Sequence, residues 1–320
     1  MTVGGPVIKL SNGVNMPAVG LGSWLSAPGE AKAAVKKAVK IGYRLIDTAS
    51  VYKNEEDVGE AIQELIAEGV VKREELFVTT KAWAHEFVPG KLEAALRESL
   101  KRLRLDYVDL YLAHVPTAFN DDMTVPLNHI SVEDIWKEFH HVYTLGLAKA
   151  VGVSNWNNEQ IGRVLNLGLT PVHNSQVELH LYFPQHSHAA FCKKNNVSIT
   201  SYATLGSPGR VNHRLPDGSS LNWQPEAPSD LKDSMVAAIA EKYKKTPAQV
   251  LLRYALDRGF AIIPKSVNSD RIRENFQLFD FKLTDDDINI LESANQNKRL
   301  FLQEFMDGHR EDSFLGVRSG

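Results

Sequence analysis

Four polar residues in the first third of the chain stand where short apolar runs end. Asp47 follows the run YRLI, Lys81 follows LFVTT and His114 follows VDLYLA, while Tyr52 comes shortly after Asp47. In parallel sheets wound with helices, the carboxyl ends of the strands share one face, and active sites form there. A carboxylate, a phenol, an ammonium and an imidazole are therefore expected to meet in one pocket.

This set of side chains suits a tyrosine that donates a proton at neutral pH. A free phenol titrates near about 10, whereas an effective proton donor has a pKa near the working pH. Lys81 can lower the pKa of Tyr52 by stabilising the phenolate, Asp47 can hold Lys81 in place, and His114 can orient a carbonyl oxygen. Taken singly, each residue also has an ordinary structural use. Lys81 could instead form a Schiff base, as in aldolases, but Asp47 would keep its amine protonated.

Apolar runs that resemble strands alternate with stretches of helical periodicity. The strand candidates are Pro17–Gly22, Tyr43–Thr48, Leu76–Ala82, Tyr107–His114, Ala148–Ser154, Val172–Val177, Val197–Ala203 and Ala261–Lys265. The helical stretches are 29–41, 55–67, 89–104, 131–145, 157–167, 185–195 and 232–244, and Thr246-Pro247 signals a further helix start. Residues 6–17 predict a β-hairpin around Asn12-Gly13.

The alternation predicts an α/β fold, namely a (β/α)8 TIM barrel formed as one domain by residues 1–320. A doubly wound sheet is the structural alternative. Its dinucleotide fingerprint begins at Gly20-Leu21-Gly22, but Leu25 stands where the third glycine belongs. Residues 115–130, 205–229 and 297–320 break the alternation, and we expect them to form loops and a tail on the active face.

Composition excludes several classes of function. The chain of 320 residues has a net charge of -3 and a sequence pI near 6.4, which does not indicate a nucleic-acid-binding surface. No apolar run is long enough to cross a membrane, and no secretory or myristoylation signal stands at the amino terminus. The single cysteine, Cys192, favours a reducing compartment, so we expect a cytoplasmic protein. No extended coiled coil indicates obligate assembly, and we also expect a monomer without a metal site.

Three motifs resemble those of the aldo-keto reductase family, in the order in which that family has them. The stretch GYRLIDTASVYKNE, residues 42–55, is similar to its first motif, and VGVSN, residues 151–155, to its fifth-strand motif. Ile263-Pro264-Lys265-Ser266, followed by Arg271, Glu274 and Asn275, resembles its coenzyme motif. The resemblance extends from the hairpin to the tail.

The resemblance implies a TIM barrel that reduces aldehydes or ketones with NADPH, with Asp47, Tyr52, Lys81 and His114 as the catalytic tetrad. It implies that Ser154, Asn155 and Gln176 hold the carboxamide and that Tyr202 stacks on the nicotinamide. It also implies that Leu205 and Ser207 lie along the pyrophosphate. The remaining implied coenzyme residues are Ser23, Trp24, Lys265, Ser266, Val267, Arg271, Glu274 and Asn275. The cations Lys265 and Arg271 suit a 2′-phosphate, which favours NADPH over NADH.

The substrate is expected to be a small, hydrophobic carbonyl compound. The predicted pocket residues are Trp24, Val51, Trp83, His114, Val115, Phe119, Trp223 and Phe301. Val115 stands where many members of the family have tryptophan, so it is the position expected to bear most on substrate preference. Some members serve as channel subunits or lens proteins, and a coenzyme-binding scaffold without turnover is therefore an alternative function.

Overall fold

A computed structural model of the chain describes residues 3–212 and 223–316. Eight parallel strands pair in sequence order around a barrel. They are β3 (Gly20–Gly22), β4 (Leu45–Asp47), β5 (Phe77–Ala82), β6 (Leu110–Ala113), β7 (Val151–Ser154), β8 (Asn174–Glu178), β9 (Ser198–Tyr202) and β10 (Ala261–Ile262). Parallel bridges from Val19 to Ile262 and from Gly22 to Lys265 join the last strand to the first. The predicted TIM barrel is thus confirmed.

The amino-terminal hairpin pairs β1 (Val7–Lys9) with β2 (Asn15–Pro17) in antiparallel register, as predicted. Its residues Leu10 and Met16 are buried in a cluster with Leu45 and Phe77, the first residues of β4 and β5. The hairpin therefore closes the barrel at the amino ends of the strands, which leaves the carboxyl ends free for chemistry.

Ten helices surround the barrel in the described part of the chain. They are α1 (Glu30–Ile41), α2 (Glu55–Ala67), α3 (Leu92–Leu103), α4 (Val132–Thr144), α5 (Asn158–Leu165), α6 (His186–Lys194), α7 (Ser234–Tyr243), α8 (Pro247–Asp257), α9 (Ser269–Glu274) and α10 (Asp285–Glu292). Short 3₁₀ turns lie at Ser50–Tyr52, Arg73–Glu75, Ala84–Phe87, Arg210–Asn212, Asp230–Lys232 and Glu304–Met306. Within the described ranges, no helix is both long and apolar enough to span a bilayer.

The predicted and observed elements differ mainly in their extents. Each of the seven helical stretches contains an observed helix, and Thr246 caps α8 by accepting a hydrogen bond from the backbone of Gln249. The extent of α8 and the whole of α10 lie beyond the predicted stretches. The first and last predicted strands extend too far, because β3 and β10 keep only three and two paired residues.

The three long segments lie near the carboxyl ends of the strands where they are described. Residues 115–130 follow β6, and the carbonyl oxygen of Ala118 among them accepts a hydrogen bond at 3.1 Å from Nε2 of His309 in the tail, since Nδ1 of that ring accepts from the backbone of Glu311. Ser313 of the tail donates to the carbonyl oxygen of Asn155, just after β7. Residues 213–222 of the predicted segment 205–229 and residues 317–320 of the tail lie outside the described residues.

Two helical glycines offer a matched test of packing between helices. A Cβ on Gly59 of α2 would come within 2.6 Å of the Arg102 and Leu103 carbonyl oxygens at the end of α3, whereas one on Gly162 of α5 would meet only Phe191 at 4.0 Å. We expect Gly59→Ala to destabilise the fold by roughly 1–3 kcal/mol, because the backbones cannot separate without loss of packing.

Gly162→Ala is the control, and we expect it to stabilise the fold by about 0.5–1 kcal/mol through helix propensity alone. Urea unfolding of both variants beside the wild type measures the two free energies. Equal changes in the two variants would contradict the close approach of α2 and α3 at Gly59.

Candidate active site

The ammonium of Lys81 is fully buried at the centre of the polar group predicted from the sequence. Its Nζ donates hydrogen bonds to Oδ1 of Asp47 at 2.5 Å, to the carbonyl oxygen of Thr48 at 2.9 Å and to the phenol oxygen of Tyr52 at 3.3 Å. Gln176 donates to the other carboxylate oxygen of Asp47 at 2.8 Å. A buried charge is tolerated when it is paired and hydrogen-bonded, and both charges of this pair are.

The imidazole of His114, the residue after β6, lies beside the phenol of Tyr52. Its Nε2 lies 3.4 Å from the phenol oxygen, and Trp83 packs edge-on against the ring with centroids 5.0 Å apart. Burial, and then the charge of Lys81, lower the pKa of His114 well below its usual range. The ring is therefore neutral at physiological pH and has one N–H to donate.

The pKa of Tyr52 differs from the sequence-based hypothesis of an acidified phenol. Burial raises the pKa of Tyr52 well above its ordinary value, and the negative charge of Asp47 raises it further. Burial also lowers the pKa of Lys81, an effect that Asp47 opposes. The phenol therefore keeps its proton at neutral pH, and Lys81 is placed to stabilise the phenolate only as the proton leaves.

Tyr52 does not lie on a strand, so other residues must hold its position. It ends the 3₁₀ turn Ser50–Tyr52, which is followed by the fully enclosed side chain of Asn54. The Asn54 amide accepts from the hydroxyl of Thr48 at 2.8 Å and donates to the carbonyl oxygen of Ser23 at 2.9 Å. These bonds fix the turn against the ends of β3 and β4.

Glu55 fixes the other side of the same turn. Its buried carboxylate accepts from Thr80 of β5 at 2.5 Å and from Arg102 of α3 at 2.8 Å. Asn54 and Glu55 stand within the first family motif, and no role was predicted for either residue. A polar pair directly after a candidate tyrosine was the available signal, whereas the partner on α3 is visible only in the fold.

The residues predicted to hold the carboxamide end of a coenzyme lie together at the ends of three neighbouring strands. Asn155 donates to the carbonyl oxygen of His114 at 2.9 Å and to Ser154 at 3.2 Å, and it accepts from the phenol of Tyr202 at 2.7 Å. Through its bond to Asp47, Gln176 joins this group to the buried ion pair. The predicted amide-binding groups and the proton-handling groups are therefore directly connected.

The cations predicted for a phosphate lie on the last strand connection. Lys265 is bridged to Gly22, and partial burial lowers its pKa, with the charge of Glu30 opposing the change and that of Arg271 adding to it. Arg271 is exposed on α9, where Asn268 caps the helix. The charge of Arg271 disfavours the charged form of Lys265, and a bound anion would offset this effect.

The other residues predicted for the coenzyme are placed around these two groups. Ser266 and Asn275 are buried, Val267 is exposed, and Glu274 accepts a hydrogen bond from Thr246 at 2.7 Å, which gives Glu274 a structural role as well. Leu205 and Ser207 are partly buried in the turn after β9. Ser23 donates to Asn54, and Trp24 is half-buried beside it.

Two aromatic clusters flank the tetrad. In the first, the rings of Trp24, Trp223 and Phe301 contact one another with centroids 5.3–5.6 Å apart, and Phe301 also contacts Tyr202. In the second, Trp83 contacts Phe305 at 5.3 Å, next to Phe119 and His309. Of the two tail rings in these clusters, Phe301 was among the predicted pocket residues and Phe305 was not.

The predicted pocket residues are not equally accessible. Val51 and Trp83 are partly exposed, whereas Phe119 is buried and Val115 is completely enclosed in the main hydrophobic core. Val115 therefore offers no surface to a substrate in this structure, and any influence on substrate preference would act through the residues that pack against it.

Comparison with known proteins fits this geometry. The sequence profile described as "Aldo/keto reductase family" matches residues 16–296. The chain belongs to the aldo/keto reductase family.

Relatives and solved structures of aldo/keto reductases match nearly the whole chain. Aldo-keto reductase family 1 member A1 of Gallus gallus is 41% identical over 310 residues, which cover 93% of this chain and 91% of the relative. The crystal structure of a Bombyx mori aldo-keto reductase in complex with NADP has a TM-score of 0.89 and 36% identity, and the match covers 98% of this chain and 100% of that one. An aldose reductase from Schistosoma japonicum has a TM-score of 0.86 and 38% identity, and the match covers 98% and 99% of the two chains.

The ion pair of this aldo/keto reductase can be tested by a double-mutant cycle. We expect Asp47→Asn and Lys81→Met each to destabilise the protein by about 3–5 kcal/mol, because each leaves a buried charge without its partner. The double variant should lose clearly less than the sum, since no unpaired charge remains. Urea unfolding measures the three free energies, and strict additivity would show that the pair is not coupled.

Proposed function

We propose that this protein reduces aldehydes or ketones to alcohols with NADPH and that Tyr52 is the proton donor. The position of the phenol between Nζ of Lys81 and Nε2 of His114, at 3.3 and 3.4 Å, carries the proposal. Membership of the family supports an NADP-dependent oxidoreductase, and the geometry supports the direction of proton transfer.

The residues present fit the coenzyme. Nδ1 of His114 is a buried polar atom without a hydrogen-bond partner in the described residues, at the junction of the tetrad with Asn155. Because Gln176 donates to Asp47 through its amide nitrogen, its carbonyl oxygen is the atom left to accept from a carboxamide. Together with Ser154, these side chains would hold the amide, and Lys265 and Arg271 would hold a 2′-phosphate.

Bound NADPH would supply the hydride. Tyr52 donates its proton to the carbonyl oxygen of the substrate, and the ammonium of Lys81 stabilises the phenolate as it forms. Asp47 keeps that ammonium in place through the 2.5 Å contact. The neutral imidazole of His114 donates a hydrogen bond that orients the carbonyl group, which its depressed pKa permits.

Two other functions are less well supported. A Schiff-base mechanism requires a free amine at Lys81, but its Nζ already donates to Asp47, Thr48 and Tyr52. A coenzyme-binding scaffold would need no proton donor, yet the whole tetrad is assembled. Oxidation of NADPH in the presence of an aromatic aldehyde separates a reductase from a scaffold.

We propose a hydrophobic carbonyl compound as substrate, because the tetrad lies between the two aromatic clusters. Residues 115–130, 205–229 and 297–320 would cover it, as part of a single barrel domain. We also propose that the protein is a monomer in the cytoplasm, where its one thiol, the buried Cys192, would stay reduced.

Replacement of the proposed donor tests the mechanism. We expect Tyr52→Phe to lower kcat for aldehyde reduction at least about 100-fold, because no other group supplies the proton, while the NADPH dissociation constant changes little. Tyr107→Phe, at the amino end of β6, is the control and should retain full activity. A Tyr52→Phe enzyme with normal kcat would exclude the phenol as donor.

The coenzyme preference depends on the two cations near β10. We expect Lys265→Met or Arg271→Ala to weaken NADPH binding by about 10- to 100-fold and NADH binding much less, because only NADPH has the 2′-phosphate. Arg273→Ala removes an exposed cation from the same helix and should affect neither coenzyme. Dissociation constants from fluorescence titration provide the test, and equal losses for the two coenzymes would refute the phosphate contact.

A further inference from the structure

A buried group of three charged side chains lies beside the candidate active site but outside the tetrad. Glu178 ends β8, two residues after Gln176, and its Oε1 is 3.0 Å from Nε2 of His180. Nδ1 of the same ring is 3.2 Å from Oδ2 of Asp230. All three side chains are at most 1% exposed. We call them the Glu178–His180–Asp230 cluster.

The two carboxylates favour a charged imidazole. Nε2 has hydrogen-bond geometry towards Glu178, whereas Nδ1 is at ion-pair distance from Asp230 without hydrogen-bond geometry, so the positive ring charge is stabilised from both sides. Burial alone would lower the pKa of His180, but Asp230 and Glu178 raise it to about 9. The guanidiniums of Arg299 and Arg210 also face these carboxylates. The positive charge is therefore present at neutral pH and is lost as the pH rises through about 9.

One side of the cluster holds the tail. The Glu178 carboxylate accepts hydrogen bonds from the backbone amides of Leu300 at 2.5 Å and Phe301 at 3.2 Å. The ring of Phe301 contacts Trp24 and Trp223, which we assign to the pocket, and Tyr202, which we assign to the coenzyme. The position of this aromatic wall therefore depends on Glu178.

The other side holds the loop that follows β9. Asp230 accepts from the backbone amide of Leu181 at 3.1 Å and packs so closely on Gly206 that a Cβ there would lie 2.5 Å from its Oδ1. Gly206 stands between Leu205 and Ser207, the residues assigned to the pyrophosphate, and its φ of +69° favours glycine.

Arg210 connects this loop to the same aromatic wall. Its buried guanidinium donates to the carbonyl oxygens of Gly206, Trp223 and Gln224, each at 2.8 Å. The loop at Gly206 and the backbone at Trp223 are therefore held by one side chain that lies near the cluster.

We propose that the imidazolium of His180 joins the tail at Phe301 to the coenzyme loop at Gly206, so that the substrate wall and the pyrophosphate segment are positioned as one unit. His180 and Asp230 are thus positioning residues for both ligands, through Glu178 on one side and Gly206 on the other. The identity of the two ligands rests on the proposed function, whereas the physical coupling of the two segments does not depend on it.

Hydrogen exchange of the free protein tests the coupling without any turnover. We expect His180→Gln and Asp230→Asn each to reduce amide protection in both segments, at Leu300 and Phe301 and in residues 203–210, about 10-fold or more. His173→Gln is the matched control, because His173 is also buried but lies at the opposite end of β8. Its variant should leave the protection of both segments unchanged.

Ligand measurements on the same variants test the positioning role. We expect the dissociation constant of NADPH and the KM for an aromatic aldehyde to rise together, each about 10-fold, in His180→Gln and Asp230→Asn. The pH profile of kcat should stay that of the wild type, because the tetrad is untouched.

Loss of protection in only one segment, or an equal loss in His173→Gln, would overturn the coupling. Unchanged NADPH binding in a variant that has lost protection in both segments would overturn the positioning role. If the wild type failed to reduce any aldehyde, the proposed function would fail, whereas the exchange experiment would still decide the coupling.

Discussion

The buried pair of Lys81 and Asp47 is the interaction on which the site depends. The residues come from adjacent strands, with Asp47 ending β4 and Lys81 near the end of β5, so their side chains meet inside the barrel. An unpaired ammonium there would be very costly, and the barrel therefore has to bring both strand ends to the same depth. Once the pair exists, its remaining hydrogen-bonding capacity determines where Tyr52 and Gln176 can lie.

The position of Tyr52 shows why a strand end alone does not make an active site. The phenol reaches Lys81 from a short turn, and the turn is anchored by Asn54 and Glu55, which have partners on β3, β4, β5 and α3. All four contacts are directional and three of them are buried, so they restrict the turn more tightly than apolar packing could. The precision that the proposed proton transfer needs therefore comes from residues outside the tetrad.

The sequence predicted the architecture well because the alternation of strands and helices is a periodic, local signal. It placed Asp47, Lys81 and His114 at strand ends because apolar runs end where a chain leaves the core. It could not reveal the return of Phe305 to the pocket or the enclosure of Val115, since both depend on contacts between distant segments. It also misjudged the pKa of Tyr52, because the desolvation caused by packing outweighs the neighbouring ammonium.

The raised pKa of Tyr52 is compatible with a proton donor when the charges of the whole tetrad are considered. Asp47 and Lys81 cancel, while Tyr52 and His114 are neutral, so the group has no net charge in its resting state. Ionisation of the phenol in water-poor surroundings would create a net negative charge, which burial disfavours. The proton can leave Tyr52 at low cost only when it passes to an acceptor atom whose basicity is rising at that moment. In the reaction we propose, a carbonyl oxygen becomes such an acceptor during reduction of its carbon atom, so the dry environment that holds the proton on Tyr52 would also restrict its release to the reductive step.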